Sequence, residues 1–347
     1  MTDSVLVLIP AYKPDAKMLS LCRALRGEGL DVLLVDDGGG AQYRPLFDEA
    51  EALGCTVARH AVNLGKGRAL KTGLNEALNR FGAMAGVITA DADGQHTPED
   101  ILRVRDALLA HPDSLILGAR AFQGEVPFRS RAGNSITRAV YHFVSGCKCS
   151  DTQTGLRGIP TAAIPAILRL PGERYEFEME MLLRLKEMQL CLFEVPIATI
   201  YENNNEGSHF NTLRDSARIY GVIAKFMLSS LLSFVIDYGL YLVLLKGMGV
   251  AAAVSYAFAR VVSSLFNYAV NRSAVFHGRG GRGSIIRYYL LAVCQLCAGV
   301  GLVYLLGLAG LPESVMKIPV DIALFFISFL IQRDFVFLDS SDKKSDN

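Results

Sequence analysis

Four apolar runs close the chain, at about residues 222–245, 250–274, 286–308 and 315–337. Each is long enough to cross a hydrocarbon core of ~30 Å as a helix. Lipid cannot hydrogen-bond an exposed backbone, so such runs are confined to helices. The expectation is an all-α transmembrane domain of four helices over 222–338. A juxtamembrane helix at 207–221 would precede it, and a disordered cytoplasmic tail at 339–347 would follow. The loop between the second and third runs, "NRSAVFHGRGGRGSIIR", is rich in arginine, whereas "KGMGV" and "AGLPESVMK" carry little positive charge. The positive-inside rule then puts that loop and both termini in the cytoplasm. Asp237 and Arg260 fall at similar depths in the first two runs. Charges at such depth are costly alone, so the two are expected to pair, for structure or for function.

The first two hundred residues read differently, as a soluble α/β unit spanning 1–206. "SVLVLIPAY", "DVLLVDDGGG" and "MAGVITADADGQ" are apolar strands that end in polar or glycine turns. Amphipathic helices alternate with them, such as "PEDILRVRDALLA". That alternation argues for a mostly parallel sheet with helices on both faces. Open sheets of this kind bind ligands beyond the carboxyl ends of their strands. Tyr12, Asp36, Asp37, Asp91 and Asp93 all fall just past such ends. The opening run is cut by Pro10 and has no basic residues ahead of it, so no signal peptide is expected and the soluble unit belongs in the cytoplasm. The whole chain would then be an integral protein of the cytoplasmic (inner) membrane.

Composition removes several function classes. The formal net charge is +1, which argues against a nucleic-acid partner. The seven cysteines are an odd number without an accompanying histidine cluster, and Cys294 and Cys297 lie inside an apolar run. Reduced thiols are expected rather than a zinc site. Counted from Asp91, positions six and twelve of an EF-hand loop would be His96 and Leu102, which excludes that loop. "NLGKGRALKTG" fits neither G-x-x-x-x-G-K-[ST] nor G-x-G-x-x-G, and no G-x-S-x-G nucleophile elbow occurs.

What remains is D-x-D-G-Q at a strand exit. Two residues of spacing on an extended segment put Asp91 and Asp93 on one side of the chain. With the amide oxygen of Gln95 they form a hard oxygen set suited to Mg²⁺ or Mn²⁺, ions that usually also bridge substrate phosphates. The plainer alternative is a capping turn, because Thr97 precedes Pro98, Glu99 and Asp100 in a good N-cap arrangement.

Seven motifs occur in order: "VLIPAY", "LLVDDGGG", "NLGKGRALKTG", "DADGQHTPED", "LGAR", "RSRAGN" and "DTQTGLRG". Over residues 4 to 205 they resemble glycosyltransferase family 2, specifically its dolichol-phosphate mannose synthase-like and polyprenyl-phosphate glucosyltransferase members. The resemblance implies a GT-A fold, a nucleotide-diphosphate sugar donor of the UDP-glucose or GDP-mannose type, inversion at the anomeric carbon and a polyprenyl phosphate acceptor. It places Pro10, Tyr12, Asp36 or Asp37, and Lys66 around the nucleoside and diphosphate, and Asp91, Asp93 and Gln95 on the metal. Arg120 and Arg131 would hold the acceptor's phosphate, while Asp151, Gln153 and Arg157 would lie at the sugar side. Pro14 and Asp15 stand where the family commonly has two glutamates. Asn203 to Asn205 stand where many relatives carry an arginine, so His209 or Arg214 would supply the third basic contact.

The last part of the chain, about 220–338, is similar to the GtrA-like membrane domain. "RVVSSLFNYAVNRSAVF" and "IQRDFVF" end the second and fourth runs alike, as in a repeated hairpin. Family members are thought to help move polyprenyl-linked sugars across the membrane. Two other readings compete: a lipid-linked sugar transporter or scaffold with an inactive transferase half, and a family 2 enzyme that uses a sugar hydroxyl as acceptor. A processive polysaccharide synthase would carry Q-x-x-R-W, which a chain without tryptophan lacks. The oligomeric state is left open.

Overall fold

The structure, a computed structural model, describes residues 4–120, 138–198, 212–276, 283–308 and 313–337. Arg131 and His209 lie outside the described residues, as do the side chain of Arg214 and the expected tail. The chain divides into two compact units, Met1–Arg218 and Ile219–Asn347.

The first unit is built on a seven-stranded sheet. Its strands are β1 (Val5–Ala11), β2 (Asp31–Asp36), β3 (Thr56–Arg59), β4 (Gly86–Thr89), β5 (Ser114–Arg120), β6 (Arg157–Pro160) and β7 (Cys191–Ile197), in the order β3-β2-β1-β4-β6-β5-β7. The pairings β1–β2, β2–β3, β1–β4 and β5–β7 are parallel, whereas β6 runs antiparallel to both β4 and β5. The expected mostly parallel sheet is present, with one reversed strand that the alternation of strand and helix did not signal.

Strand alternation distributes the core between two faces. Val5, Val7 and Ile9 face one layer with Val32 and Leu34. There they meet α1 (Ala16–Gly27), α2 (Arg44–Ala52) and α4 (Pro98–Ala110) through Met18, Leu25, Phe47, Ile101 and Val104. Leu6 and Leu8 point the other way, toward α3 (Lys66–Arg80), which also packs on β2. The described residues of the unit also include the helices α5 over residues 138–145, α6 (Ile164–Ile167) and α7 (Glu176–Leu183).

Side-chain caps set where two of these helices start. Asp15 accepts from Lys17 N at 2.9 Å before α1, and Thr97 accepts from Asp100 N at 3.1 Å before α4. The capping turn anticipated after "DADGQH" is therefore real, and it coexists with the carboxylate pair ahead of it.

The second unit is helical: it holds α8 (Thr212–Leu242) from Ile219 onward, α9 (Ala252–Val270), α10 (Ser284–Leu308) and α11 (Glu313–Ile331). The helix expected to begin near Thr212 and the first apolar run are one element, α8. Among the described residues one helix, Gly221–Gly247, is by itself long and apolar enough to cross a membrane. Leu231, Phe234, Val235 and Tyr238 are all more than half exposed on it, an apolar surface that water would not tolerate over such a length. Asp237 and Arg260 do pair, at 3.5 Å, and Ser263 donates to Asp237 at 3.0 Å.

The likeness between the second and fourth run ends is structural as well. α9 and α11 each finish in a π-helical turn, Asn271–Val275 and Gln332–Val336. Phe276 and Phe337 close these turns through N–H bonds to the carbonyls of Asn271 and Gln332. The two phenyl rings stack with centroids 4.9 Å apart, so the repeat packs on itself.

Candidate active site

Parallel strands bring their carboxyl ends to one edge of the sheet. β1 delivers Pro10 and then Tyr12 there, β2 delivers Asp36 and Asp37, and β4 is followed by Asp91 and Asp93. The reversed strand β6 adds to the same edge from the opposite direction. Its first residue, Arg157, pairs with Thr89, the last of β4. The residues that precede it, Asp151 to Leu156, therefore arrive beside the D-x-D segment. Thr89 Oγ1 donates to the carbonyl of Gly155 at 2.7 Å and fastens the two. A Cβ on Gly155 would lie 2.5 Å from Asp91 Oδ2, so any side chain there would displace the Asp91 carboxylate.

Lys66 is the first residue of α3, and its position is set by a buried carboxylate. Asp37, 2 % exposed, accepts from the backbone N–H groups of Leu64 and Gly65, each at 2.9 Å. It also accepts from Asn63 Nδ2 at 2.9 Å and contacts His60 Nδ1 at 2.8 Å. The "NLGKG" loop is thus clamped to the end of β2. Gly65 has φ of 102°, a conformation that L side chains rarely adopt, and it caps α3. Asp36 is turned to its own loop and accepts from Gly39 N at 3.1 Å.

Lys66 Nζ then sits between two carboxylates, 2.7 Å from Asp91 Oδ1 and 3.1 Å from Glu178 Oε2, with the Tyr175 ring 5.9 Å away. Burial disfavours the ammonium charge, but Asp91 and Glu178 outweigh it and raise the Lys66 pKa. Burial likewise pushes Asp91 up, and Lys66 and His96 overcome that push, so its carboxyl lies below the usual range. At Asp93 the balance runs the other way: desolvation and the neighbouring charge of Asp91 outweigh the Gln95 N–H, His96 and Lys66, and hold its carboxyl above the ordinary value. His96 is 5 % exposed; its Nε2 is 3.5 Å from Asp91 Oδ2, and neither ring nitrogen has a hydrogen-bond partner among the described residues.

This cluster is asymmetric. Asp91 is satisfied by a cation of the protein, whereas Asp93 accepts a turn hydrogen bond from Gln95 N at 3.0 Å and is raised by its neighbour. Among the described residues no group of three or more His, Cys, Asp or Glu side chains could hold a metal ion alone. Two carboxylates and an amide nevertheless fit the hard-oxygen pattern in which a substrate's phosphates complete the coordination of Mg²⁺ or Mn²⁺.

The remaining residues divide. Arg120, at the end of β5, forms a two-pronged pair with the fully buried Asp151, at 2.6 and 3.0 Å. Gln153 N donates to Asp151 Oδ1 at 3.1 Å, and Gln153 Nε2 is buried without a hydrogen-bond partner among the described residues. Tyr12 is 47 % exposed and carries Lys13 over its ring. Arg157, expected at the sugar side, is only 1 % exposed. Its guanidinium donates to the carbonyls of Thr154 at 3.2 Å and Glu178 at 2.6 Å, inside the protein. It supports the backbone on which Glu178 and the 151–155 segment are mounted.

Residues 7–163 match the family model for glycosyl transferase family 2, and residues 225–337 match that for the GtrA/DPMS transmembrane domain. An uncharacterized protein of Methanocaldococcus jannaschii is 32% identical over 205 residues, which are 57% of this chain and 82% of that protein. The chain belongs to glycosyl transferase family 2. A UDP-N-acetylglucosamine–dolichyl-phosphate N-acetylglucosaminyltransferase of Methanococcus voltae is 28% identical over 222 residues, 58% of this chain and 88% of the relative. A polyprenol monophosphomannose synthase of Mycolicibacterium smegmatis is 26% identical over 207 residues, 56% and 77% of the two chains.

Within this family 2 glycosyltransferase, sequence reasoning passed over Glu178 and His96. The signal for Glu178 was present in "YEFEMEMLL", where glutamates at 176, 178 and 180 interrupt an apolar helix. Glu178 and Glu180 are 8% and 7% exposed, and carboxylates are rarely so buried unless paired.

Proposed function

We propose that the chain is a membrane-anchored, inverting hexosyltransferase of the GT-A type. It would move a hexose from a nucleotide-diphosphate sugar, of the UDP-glucose or GDP-mannose type, to polyprenyl phosphate. The observation that carries the reading is the Lys66–Asp91–Asp93 arrangement at the carboxyl edge of the sheet, in a chain that continues into a transmembrane domain. The named relatives that act on dolichyl or polyprenyl phosphate support the acceptor class.

The chemistry follows from the acceptor. A sugar hydroxyl needs a general base, whereas a phosphate is already an anionic nucleophile near neutral pH. The protein's work is to align it behind the anomeric carbon and to stabilise the leaving diphosphate. Mg²⁺ or Mn²⁺ held by Asp91, Asp93 and Gln95 would neutralise charge on that diphosphate. Lys66 adds a cation at the N-terminus of α3, where the helix dipole also favours an anion. Glu178 keeps the ammonium in place when Asp91 is engaged elsewhere. Asp151 orients Arg120, and Arg131 with His209 or Arg214 supplies further positive charge for the acceptor. The Thr212 end of α8 would lie at the headgroup layer, with basic residues toward anionic lipid. In this reading four helices cross the membrane and both termini are cytoplasmic.

The test is a panel of nucleotide sugars with undecaprenyl phosphate and the full-length protein in detergent, with and without a chelator. One hexose donor should give a glycolipid, and the chelator should stop it. No lipid product from any donor would overturn the reading and favour a scaffold with an inactive transferase half. Arg131→Ala should weaken use of the lipid phosphate by about 1.5–3 kcal/mol, as a charge-assisted phosphate contact does, and leave donor affinity intact. An equal loss in donor affinity, measured by titration, would put this arginine on the other substrate.

A further inference from the structure

Lys66 is shared by two carboxylates that belong to separate elements. Its Nζ is 2.7 Å from Asp91 Oδ1, just past the end of β4, and 3.1 Å from Glu178 Oε2 on α7. A buried ion pair made for stability alone needs one carboxylate for one ammonium, because every ion taken out of water carries a desolvation cost. Glu178 adds a second carboxylate, almost wholly buried, whose Oε1 has no hydrogen-bond partner among the described residues. Buried polar atoms are seldom left in that state without a reason.

The backbones that carry the three groups are held in place. Arg68 N donates to the Glu173 carbonyl at 2.9 Å. A Cβ on Gly65 would lie 2.5 Å from that carbonyl oxygen, and one on Gly67 would lie 2.6 Å from the Arg174 carbonyl oxygen. The first turn of α3 therefore touches the backbone that leads into α7 and Glu178. Gly155 backs the Asp91 carboxylate equally closely, since its Cβ would also lie 2.7 Å from Oδ1. The movable member is the lysine, a point charge on a flexible four-carbon stem. A swing of Nζ exchanges one carboxylate for the other with no change in the fold.

We propose that Lys66 is an internal competitor for the divalent ion: it withholds Asp91 until a diphosphate arrives to take the ammonium, and Glu178 holds the ammonium through the exchange. An ion that comes alone has to displace a cation in contact with Asp91, and Lys66 then has only Glu178 to pair with. An ion that comes on a diphosphate brings the anion that Lys66 needs, in a charge-assisted contact. Metal and donor therefore enter as one complex, and the order of binding is built into the protein. The identity of the diphosphate rests on the transfer reading above; the competition at Asp91 does not.

A lysine acting only as background charge would also repel a metal ion. Lys66→Met/Glu178→Gln separates the two accounts, because it removes one charge of each sign and keeps the local net charge of the parent. Background charge predicts no change in metal affinity for this pair of substitutions. A competitor removed from Asp91 predicts a gain. The double change also leaves no buried Glu178 charge stranded.

The test is Mn²⁺ binding to the full-length protein in detergent, read from the free-ion EPR signal. Mn²⁺ is added alone, and with UDP or GDP against protein-free samples of the same nucleotide. In the parent, one nucleotide should tighten Mn²⁺ binding at least ~10-fold. Lys66→Met/Glu178→Gln should bind Mn²⁺ alone at least ~10-fold more tightly than the parent, and nucleotide should then add less than ~3-fold. Adding Asp93→Asn should abolish that gain, which places the ion at D-x-D. Glu178→Gln by itself leaves Asp91 as the carboxylate paired with the ammonium, and should weaken binding of Mn²⁺ alone several-fold. It serves if the double variant melts below the parent. The inference fails if the double variant binds Mn²⁺ alone no better than the parent, or if its gain survives Asp93→Asn. It fails equally if Glu178→Gln binds Mn²⁺ alone as well as the parent does. A gain in the double variant with no effect of either nucleotide on the parent would uphold the competitor and overturn the donor class proposed above. None of these readouts requires transfer, so the two failures are separately visible.

Discussion

Asp93→Ala should reduce hexose transfer at least ~10²-fold, the usual consequence of removing a principal electrostatic stabiliser. Of the two D-x-D carboxylates, Asp91 already has a protein cation, with Lys66 2.7 Å away. Asp93 makes no ion pair among the described residues: desolvation and Asp91 raise its carboxyl by more than Lys66 and His96 lower it, and its turn bond to Gln95 N is local. It is therefore the carboxylate with charge to offer a metal–diphosphate. Asp93→Asn keeps an acceptor for Gln95 N and should be nearly as inactive, which separates loss of charge from loss of the turn. Thermal melting of both variants should stay close to that of the parent, since the side chain anchors no other element. Near-normal turnover of Asp93→Asn under saturating donor would contradict the assignment.

Asp37→Ala should have the largest effect on stability. The substitution strands the N–H groups of Leu64 and Gly65 and leaves Asn63 Nδ2 and His60 Nδ1 without their shared partner. Removing a buried charged acceptor costs roughly 3–5 kcal/mol. In a unit of this size that lowers the melting temperature by about 10 °C. The same clamp sets the start of α3 and so the position of Lys66. Donor affinity should fall with stability even though Asp37, almost wholly buried, has little surface with which to touch a ligand. Calorimetry and donor titration on the full-length protein check both. A variant that melts like the parent and binds donor normally would remove Asp37 from this role.

These two aspartates show how much was legible before the fold. Both were picked out because strand ends of a parallel sheet collect ligand-binding groups. Proximity to a strand end does not say which way a side chain turns, however. Asp37 turned inward to clamp the loop before α3; Asp91 and Asp93 did not. β6 escaped notice because "RGIP" is four residues long and contains both Gly and Pro, which depress strand propensity. Its reversal brings Asp151 to the edge and draws Arg157 inside, where the register opposite Thr89 and Leu117 buries it. Glu178 could be recognised only as an anomaly, because its partner Lys66 lies over a hundred positions earlier and the fold alone joins them. The repeat in the membrane unit was readable because the same need recurs in it. "NRSAVF" and "QRDFVF" each start a π turn with an amide residue and close it with phenylalanine.

The most direct test of the central claim is what leaves and what remains when the full-length protein turns over with its donor and undecaprenyl phosphate. Transfer of a hexose to the lipid's own phosphate predicts one nucleoside diphosphate released per glycolipid formed. It also predicts a lipid product whose mass shows a single phosphate between polyprenol and sugar. Release of a nucleoside monophosphate with two phosphates in the lipid, or a product in which the new sugar is joined to another sugar's hydroxyl, would contradict it.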